Sequence, residues 1–216
     1  MKVPVRLIVL AHTPFGDKSA VLHTMSDVYG RRGFMVGTGP RTPSSLFLPM
    51  NLLEAEVTEN PRASLWRASG FTMMSPLSGI RGNIYKNAIS LFMSEVLYRT
   101  VTEGSAEEGL FDWCSEAVLT LDALQDGWSN FHIRFLLDLA AALGFRPDAE
   151  GLAPFAGEDL HVLQQMVSLP MAEAMMVPLS GNARTRLCRR ILDYLRFHTD
   201  SAINVKSLDV LGELFQ

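Results

Sequence analysis

Apolar and polar positions alternate with a period of two through the first third of the chain. Val5, Leu7 and Val9 interleave with Arg6, Ile8 and Leu10, and Leu53, Ala55 and Val57 interleave with Glu54, Glu56 and Thr58. Residues two apart share one face of a strand, so both segments read as strands. Between them, Ser19 to Ser26 and Arg31 to Val36 are further strand candidates, the latter placing Phe34 and Val36 on one face with Arg32. Leu65 to Met74 is a fifth. Turn residues punctuate the series at Thr13 to Asp17, Tyr29-Gly30 and Asn60-Pro61, while Gly37 to Ser45 reads as a loop. Five short strands in about 75 residues predict a small barrel or sandwich.

Beyond Ser75-Pro76 and Ser78-Gly79 the period becomes helical. Ile84, Ala88, Leu91, Phe92 and Val96 predict one face of a helix reaching about Thr102. Leu110, Phe111, Cys114, Ala117, Val118, Leu121 and Leu124 form a second stripe. A third helix, capped by Ser129 or Asn130 and ended by Gly144 and Pro147, is apolar nearly all round, which predicts the buried centre of a bundle. Arg146 to Gly157 reads as a loop. Leu160 to Val167 predicts a short helix ended by Pro170. Asn182 caps a helix running to about His198, and Ser207 caps a last short one.

Composition fits this outline. Of 216 residues, 48% are hydrophobic, enough to build a core. Cys114 and Cys188 are too few and too far apart for a disulfide framework or a four-cysteine zinc site. The apolar run Leu7 to Ala11 is too short for a signal core or a membrane span. A cytoplasmic, nucleoid-associated protein is expected, with no membrane contact. Charge divides unevenly: residues 1–81 carry a net +4 and residues 82–216 a net −8. A basic front on an acidic body implies two units with different partners, the first polyanionic. A five-stranded OB-fold is the commonest barrel of this size that binds single-stranded nucleic acid.

Catalytic chemistry finds no support. Gly37-Thr38-Gly39 lacks the third glycine and following helix of a nucleotide loop, and Gly16-Asp17-Lys18-Ser19 lacks the leading glycine of a phosphate loop. The five histidines are scattered without ligand spacing, and no serine has a nucleophile-elbow setting. No enzyme activity, cofactor or metal is expected. The acidic pairs Glu107-Glu108 and Glu158-Asp159 sit where helices begin, where the helix dipole favours them. The cations Lys2, Arg6, Arg31, Arg32, Arg41, Arg62, Arg67 and Arg81 lie in or beside the strands, with Tyr29, Phe34, Phe47 and Trp66 nearby. Such a mixture neutralises phosphates and stacks on bases. The bland alternative makes the phenylalanines core and the arginines ordinary surface. A second cluster, Arg184, Arg186, Arg189, Arg190 and Arg196, reads as the polar face of an amphipathic helix.

Four segments together resemble one family. They are His12-Thr13-Pro14-Phe15-Gly16-Asp17-Lys18-Ser19 with Thr24 and Tyr29-Gly30-Arg31, then Ala88 to Tyr98, Asn130 to Asp148, and Leu192 to Phe215. In this order and spacing they resemble the bacterial RecO recombination-mediator proteins. The resemblance implies an N-terminal OB-fold and a helical C-terminal domain. It also implies binding of single- and double-stranded DNA, annealing of complementary strands, and help in loading recombinase onto strands coated by single-strand-binding protein. Partners would be RecR and the acidic, apolar C-terminal tail of single-strand-binding protein, for which Arg99 and Arg134 are the candidate contacts. The chain departs from the family in two places. The region Arg146 to Glu158 has no cysteine for the zinc module common among members, and Gly37 to Pro43 carries one arginine where members are often basic.

The expected architecture is therefore α+β. Residues 1–78 form an OB-fold nucleic-acid-binding domain and residues 79–216 a helical bundle for protein interaction with a potential DNA contact. DNA would be held by Lys2, Arg6, Arg31, Arg32, Arg41 and Arg81, with Phe34 or Trp66 stacking. About five phosphate contacts give a salt slope of about −3.5 on single strands. The competing expectation is a protein–protein adaptor with little DNA affinity, motivated by the acidic total and the thin loop after the third strand.

Overall fold

The computed structural model describes residues 2–40, 42–104 and 107–215. The chain divides into two compact units, Met1–Leu77 with Val101–Val118, and Ser78–Thr100 with Leu119–Gln216.

The first unit is built on five strands: β1 (Lys2–Pro14), β2 (Ser19–Ser26), β3 (Gly30–Gly37), β4 (Leu52–Thr58) and β5 (Trp66–Met73). They close into a barrel in the order β1-β2-β3-β5-β4, an OB-fold, with only β3 and β5 paired parallel. Closure depends on the length of β1. Lys2 to Ile8 pairs with β4, Leu7 to Pro14 pairs with β2, and an irregularity between Val9 and Ala11 bends the strand from one sheet face to the next. The two-residue alternation places Val5, Leu7, Val9, Leu53, Ala55 and Val57 inside, against Leu22 and Phe34. Glu54, Glu56 and Thr58 point to solvent. Phe47, at the end of a short 3-10 turn over Ser44–Phe47, plugs the barrel edge-on to Phe71. Asn51 holds that turn by donating from Nδ2 to the carbonyls of Ser45 and Leu46.

The helices are α1 (Ser78–Arg81), α2 (Ile84–Thr100), α3 (Leu110–Ala123), α4 (Phe131–Ala142), α5 (Ala149–Ala156), α6 (Leu160–Ser168), α7 (Met171–Met175), α8 (Gly181–Thr199) and α9 (Ser207–Leu214). In the second unit α4 is the centre, buried along Phe131, Ile133, Phe135, Leu136, Leu137 and Leu139 as its all-round apolarity predicts. It packs on α2, α6, α7 and α8. Its C-terminus closes at Gly144 in the left-handed region (φ 85°), with the Phe145 N–H returning to the Ala140 carbonyl.

Several local expectations are corrected. Ile84 and Leu91 are exposed, and the buried face of α2 is instead Ala88, Ile89, Phe92, Met93, Val96 and Leu97. The loop expected over Arg146 to Gly157 contains α5, whose N-cap Asp148 accepts from the Gly151 N–H. α7 follows Pro170 directly. Asn130 caps nothing with its side chain; Nδ2 donates to the carbonyls of Ala174, Met175 and Val177, tying the start of α4 to the end of α7. Ser180, not Asn182, caps α8 by accepting from the Ala183 N–H. Ser207 is the first residue of α9, and its cap comes from Glu95 on α2, which accepts from the Lys206 and Ser207 N–H groups and the Ser207 hydroxyl. Glu158 and Asp159 do lie where a helix begins, with Asp159 at the N-cap position of α6; Asp159 is also buried and grips Arg186 with both oxygens at 2.8 Å.

Candidate nucleic-acid interface

On OB-folds the ligand face is strands β2 and β3 with the β1–β2 and β4–β5 loops. Here the register pairs Val21 with Met35 and His23 with Gly33 across that face. A Cβ at Gly33 would make ordinary contacts with Leu65, Val21 and His23 at 3.4–3.7 Å. At one end of the strands, Tyr29, Arg32 and Trp66 form a stack. The Arg32 guanidinium lies 3.7 Å from the Trp66 ring centre and 5.9 Å from that of Tyr29. Tyr29 meets Trp66 edge-on at 5.2 Å. The Tyr29 hydroxyl donates to Glu59 at 2.8 Å; burial first, then that bond, pushes its pKa up to about 12. Trp66 is half-buried, its other side packed on the barrel core. Among the described residues no carboxylate bonds Arg32, so this cation keeps its charge for a ligand.

The structure disperses the remaining candidates. Lys2 is exposed and meets Glu56 at 2.7 Å, a surface pair worth roughly 0–1 kcal/mol and open to exchange. Arg6 is fixed: it donates from Nε to Asp27 at 3.0 Å, meets Asp112 at 3.1 Å and covers the Phe111 ring at 4.8 Å. The Asp27 bond is the main reason its pKa is raised. Arg31 donates from Nε to the Val101 carbonyl at 2.6 Å and lies 3.8 Å from Glu103. Phe34 is fully buried in the core, so its ring cannot stack on a base, and that expectation is corrected. Arg41 lies outside the described residues. Arg81 belongs to the helical unit, where it is half-buried, donates to Asn87 and has its pKa lowered by desolvation. Arg62 and Arg67 are exposed with no carboxylate partner among the described residues, so their charge is less engaged than that of Arg6 or Arg31. Arg62 lies in the β4–β5 loop, part of the OB ligand face, and Arg67 on β5 pairs with Met35 of β3 beside it.

In the helical unit, Arg134 is half-buried. It donates to Asp138 and to the carbonyls of Met166 and Leu169, closing the C-terminus of α6. Arg99 is exposed, 3.9 Å from Glu95. Arg184 differs from both. It donates only to neutral atoms, Asn130 Oδ1 at 2.8 Å and Ser129 Oγ at 3.3 Å, and stands 5.7 Å from the Phe215 ring centre. Burial lowers its pKa. It opens on a recess lined by Met175, Met176, Val177, Pro178 and Leu179, with Asp126 at its edge. Three other α8 arginines are paired, Arg186 with Asp159, Arg189 with Asp209 and Arg196 with Asp193, whereas the buried Arg190 Nε has no hydrogen-bond partner.

A four-cysteine zinc module does not fit these residues. Cys114 and Cys188 are both buried, in different units, and burial raises both thiol pKa values. The region that would hold the module is α5, whose Gly151 stands against the Arg146 carbonyl and Tyr194. No helix among the described residues is long and apolar enough to cross a membrane.

Residues 81–151 match the family model described as "Recombination protein O C terminal". A "DNA repair protein RecO" of Bacteroides fragilis is 30% identical over an alignment of 235 positions, covering 96% of this chain and 97% of the relative. The protein of the same name from Flavobacterium psychrophilum is 26% identical with both chains fully covered, and that of Porphyromonas gingivalis is 25% identical over 97% of this chain. With an OB barrel, a helical unit and similarity running end to end, the chain belongs to the RecO family of DNA repair proteins.

Proposed function

We propose that this protein is a non-enzymatic recombination mediator that binds single-stranded DNA on its barrel, anneals complementary strands and helps load recombinase onto strands coated by single-strand-binding protein. The observation that carries the reading is the Arg32–Trp66 stack at 3.7 Å on an OB barrel. A guanidinium laid flat on an indole is held in place, so it offers a phosphate contact at its edge and a planar cationic face on which a base can stack, the combination that holds single strands without reading sequence. Arg62 and Arg67 extend the charge. RecR is the expected assembly partner. The acidic, apolar tail of single-strand-binding protein fits Arg184 and the Met175 to Leu179 recess better than Arg99 or Arg134, since Arg184 is the cation at an apolar mouth without a carboxylate of its own.

The test is fluorescence anisotropy of a labelled thymidine oligonucleotide with the full chain. Micromolar binding that weakens with salt, and weakens further in Arg32→Ala, supports the reading. A second reading, an adaptor with little DNA affinity, is favoured by the pairing of Arg6 and Arg31 with acids. It predicts co-elution with RecR or a tail peptide and no change in anisotropy at any salt.

A further inference from the structure

Val101–Val118 belongs to the same compact unit as the barrel. It carries five acids and no Lys or Arg. At one end it pairs with β3: Glu103 forms a parallel bridge with Arg31, and the Gly104 N–H donates to the Arg31 carbonyl at 2.8 Å. The Arg31 guanidinium is held there by the Val101 carbonyl and Glu103. His23 on β2 feels the same group. Burial lowers its pKa first, Glu103 then raises it and Arg31 lowers it. At the other end Asp112 reaches Arg6. Glu107 and Glu108 stand between, lining a cleft with Arg6 and Asp27.

The segment is anchored by apolar side chains, with Val101, Leu110, Phe111 and Cys114 all buried. Its carboxylates are not buried: the Glu103 and Asp112 side chains are 64% and 70% exposed. The Arg6–Asp112 pair is open to water on both sides, and such pairs are worth little net, so a phosphate can exchange with Asp112; Arg31 is mostly buried, so a phosphate meets it from the side Glu103 occupies. The backbone stays while the charge is exchangeable. Its position is beside β2 and β3, the strands on which OB-folds hold polyanionic ligands.

We propose that Val101–Asp112 is an internal competitor for nucleic acid, an acidic strap that occupies Arg6 and Arg31 until phosphates displace Asp112 and Glu103. The inference rests on the DNA-binding reading above. It makes the barrel a weak binder by construction, with two cations in reserve.

The test uses the full chain and a labelled thymidine oligonucleotide, comparing wild type with Glu103→Gln/Asp112→Asn. Asp27 and the Val101 carbonyl still hold Nε of Arg6 and Arg31, but the strap's carboxylates are gone from the terminal nitrogens of both; two added phosphate contacts there steepen the salt slope by about 1.4. Affinity at low salt rises about tenfold or more. Adding Arg6→Gln/Arg31→Gln to that variant abolishes the gain, and the distant pair Glu150→Gln/Glu173→Gln, which removes the same charge, gives a much smaller one. If wild type binds and Glu103→Gln/Asp112→Asn matches it in affinity and slope, the strap is refuted and DNA binding stands. If the distant pair gives an equal gain, bulk charge is responsible and the strap is again refuted. If neither wild type nor any variant binds at any salt, the DNA-binding reading fails and the strap with it.

Discussion

At the scale of single residues, two buried or stacked side chains make the sharpest predictions. His132 on α4 is fully enclosed between Phe92 and Phe215, and its Nδ1 has no hydrogen-bond partner. Burial first, then the Arg184 charge, holds its pKa down at about 3 against an ordinary 6.5. The unfolded chain therefore takes up a proton on this ring at a pH where the folded one does not. Stability is fully present above pH 6.5 and falls as pH drops below it, by up to about 1.4 kcal/mol per unit. Urea unfolding at pH 7 and pH 5 checks this: His132→Phe loses markedly less stability between the two than wild type, and equal losses contradict it. Trp66 is the second. Trp66→Leu keeps apolar volume on the barrel core and removes the ring on which the Arg32 guanidinium rests. It weakens binding of a thymidine oligonucleotide by about 1–3 kcal/mol, read by anisotropy, with thermal melting to confirm an intact fold.

At the scale of elements, hydrophobic period was legible where one face alone is buried. β1 and β4 alternate because one side of each lines the barrel, and α4 is apolar all round because it is surrounded. α2 was harder. Ala88, Ile89, Phe92 and Met93 are buried, while Ile84 and Leu91 lie on the exposed side, so apolar spacing by itself chose a stripe shifted around the helix. α5 was hidden by Gly151 and Pro154, residues that read as loop formers but occupy a helix with an Asp148 cap. Caps supplied from a distance leave no local signal, as Glu95 for α9 shows. Burial opposes the charge on Glu95, but the Ser207 hydroxyl and the Ser207 and Lys206 N–H groups outweigh it and lower its pKa. Glu95→Ala removes the cap and costs about 1 kcal/mol of stability by denaturant unfolding, and an unchanged midpoint contradicts that role. Gly79 makes a similar case. A Cβ there would stand 2.1 Å from the Asp122 carbonyl oxygen, which the Ile80 N–H bond to Asp122 keeps close. Gly79→Ala therefore destabilises the chain by about 1–3 kcal/mol, seen as a lowered melting temperature.

At the scale of the whole molecule, the division of charge pointed to the barrel as the unit that meets DNA, and the fold agrees that the basic third is an OB barrel. What charge counting could not show is where each cation's partner lies. Arg6 and Arg31 sit within reach of carboxylates and carbonyls 70 or more residues away in sequence, whereas Arg32, with the same formal charge, rests on an indole. Phe34 and Trp66 were indistinguishable as aromatic strand residues; they are register partners of each other, and burial separates them, Phe34 fully inside the core and Trp66 half-buried against it. The α8 arginines carry mostly structural pairs, as an amphipathic helix implies. Arg184, turned toward neutral partners, faces an apolar recess. The five-contact expectation for DNA falls accordingly to about three: Arg32, Arg62 and Arg67.

The salt dependence of single-strand binding weighs this account most directly. The slope of log K against log salt for the full chain on a thymidine oligonucleotide is predicted at about −2, and it becomes shallower by about 0.7 in Arg32→Ala. A slope near zero, or one that Arg32→Ala leaves unchanged, contradicts DNA binding by this barrel.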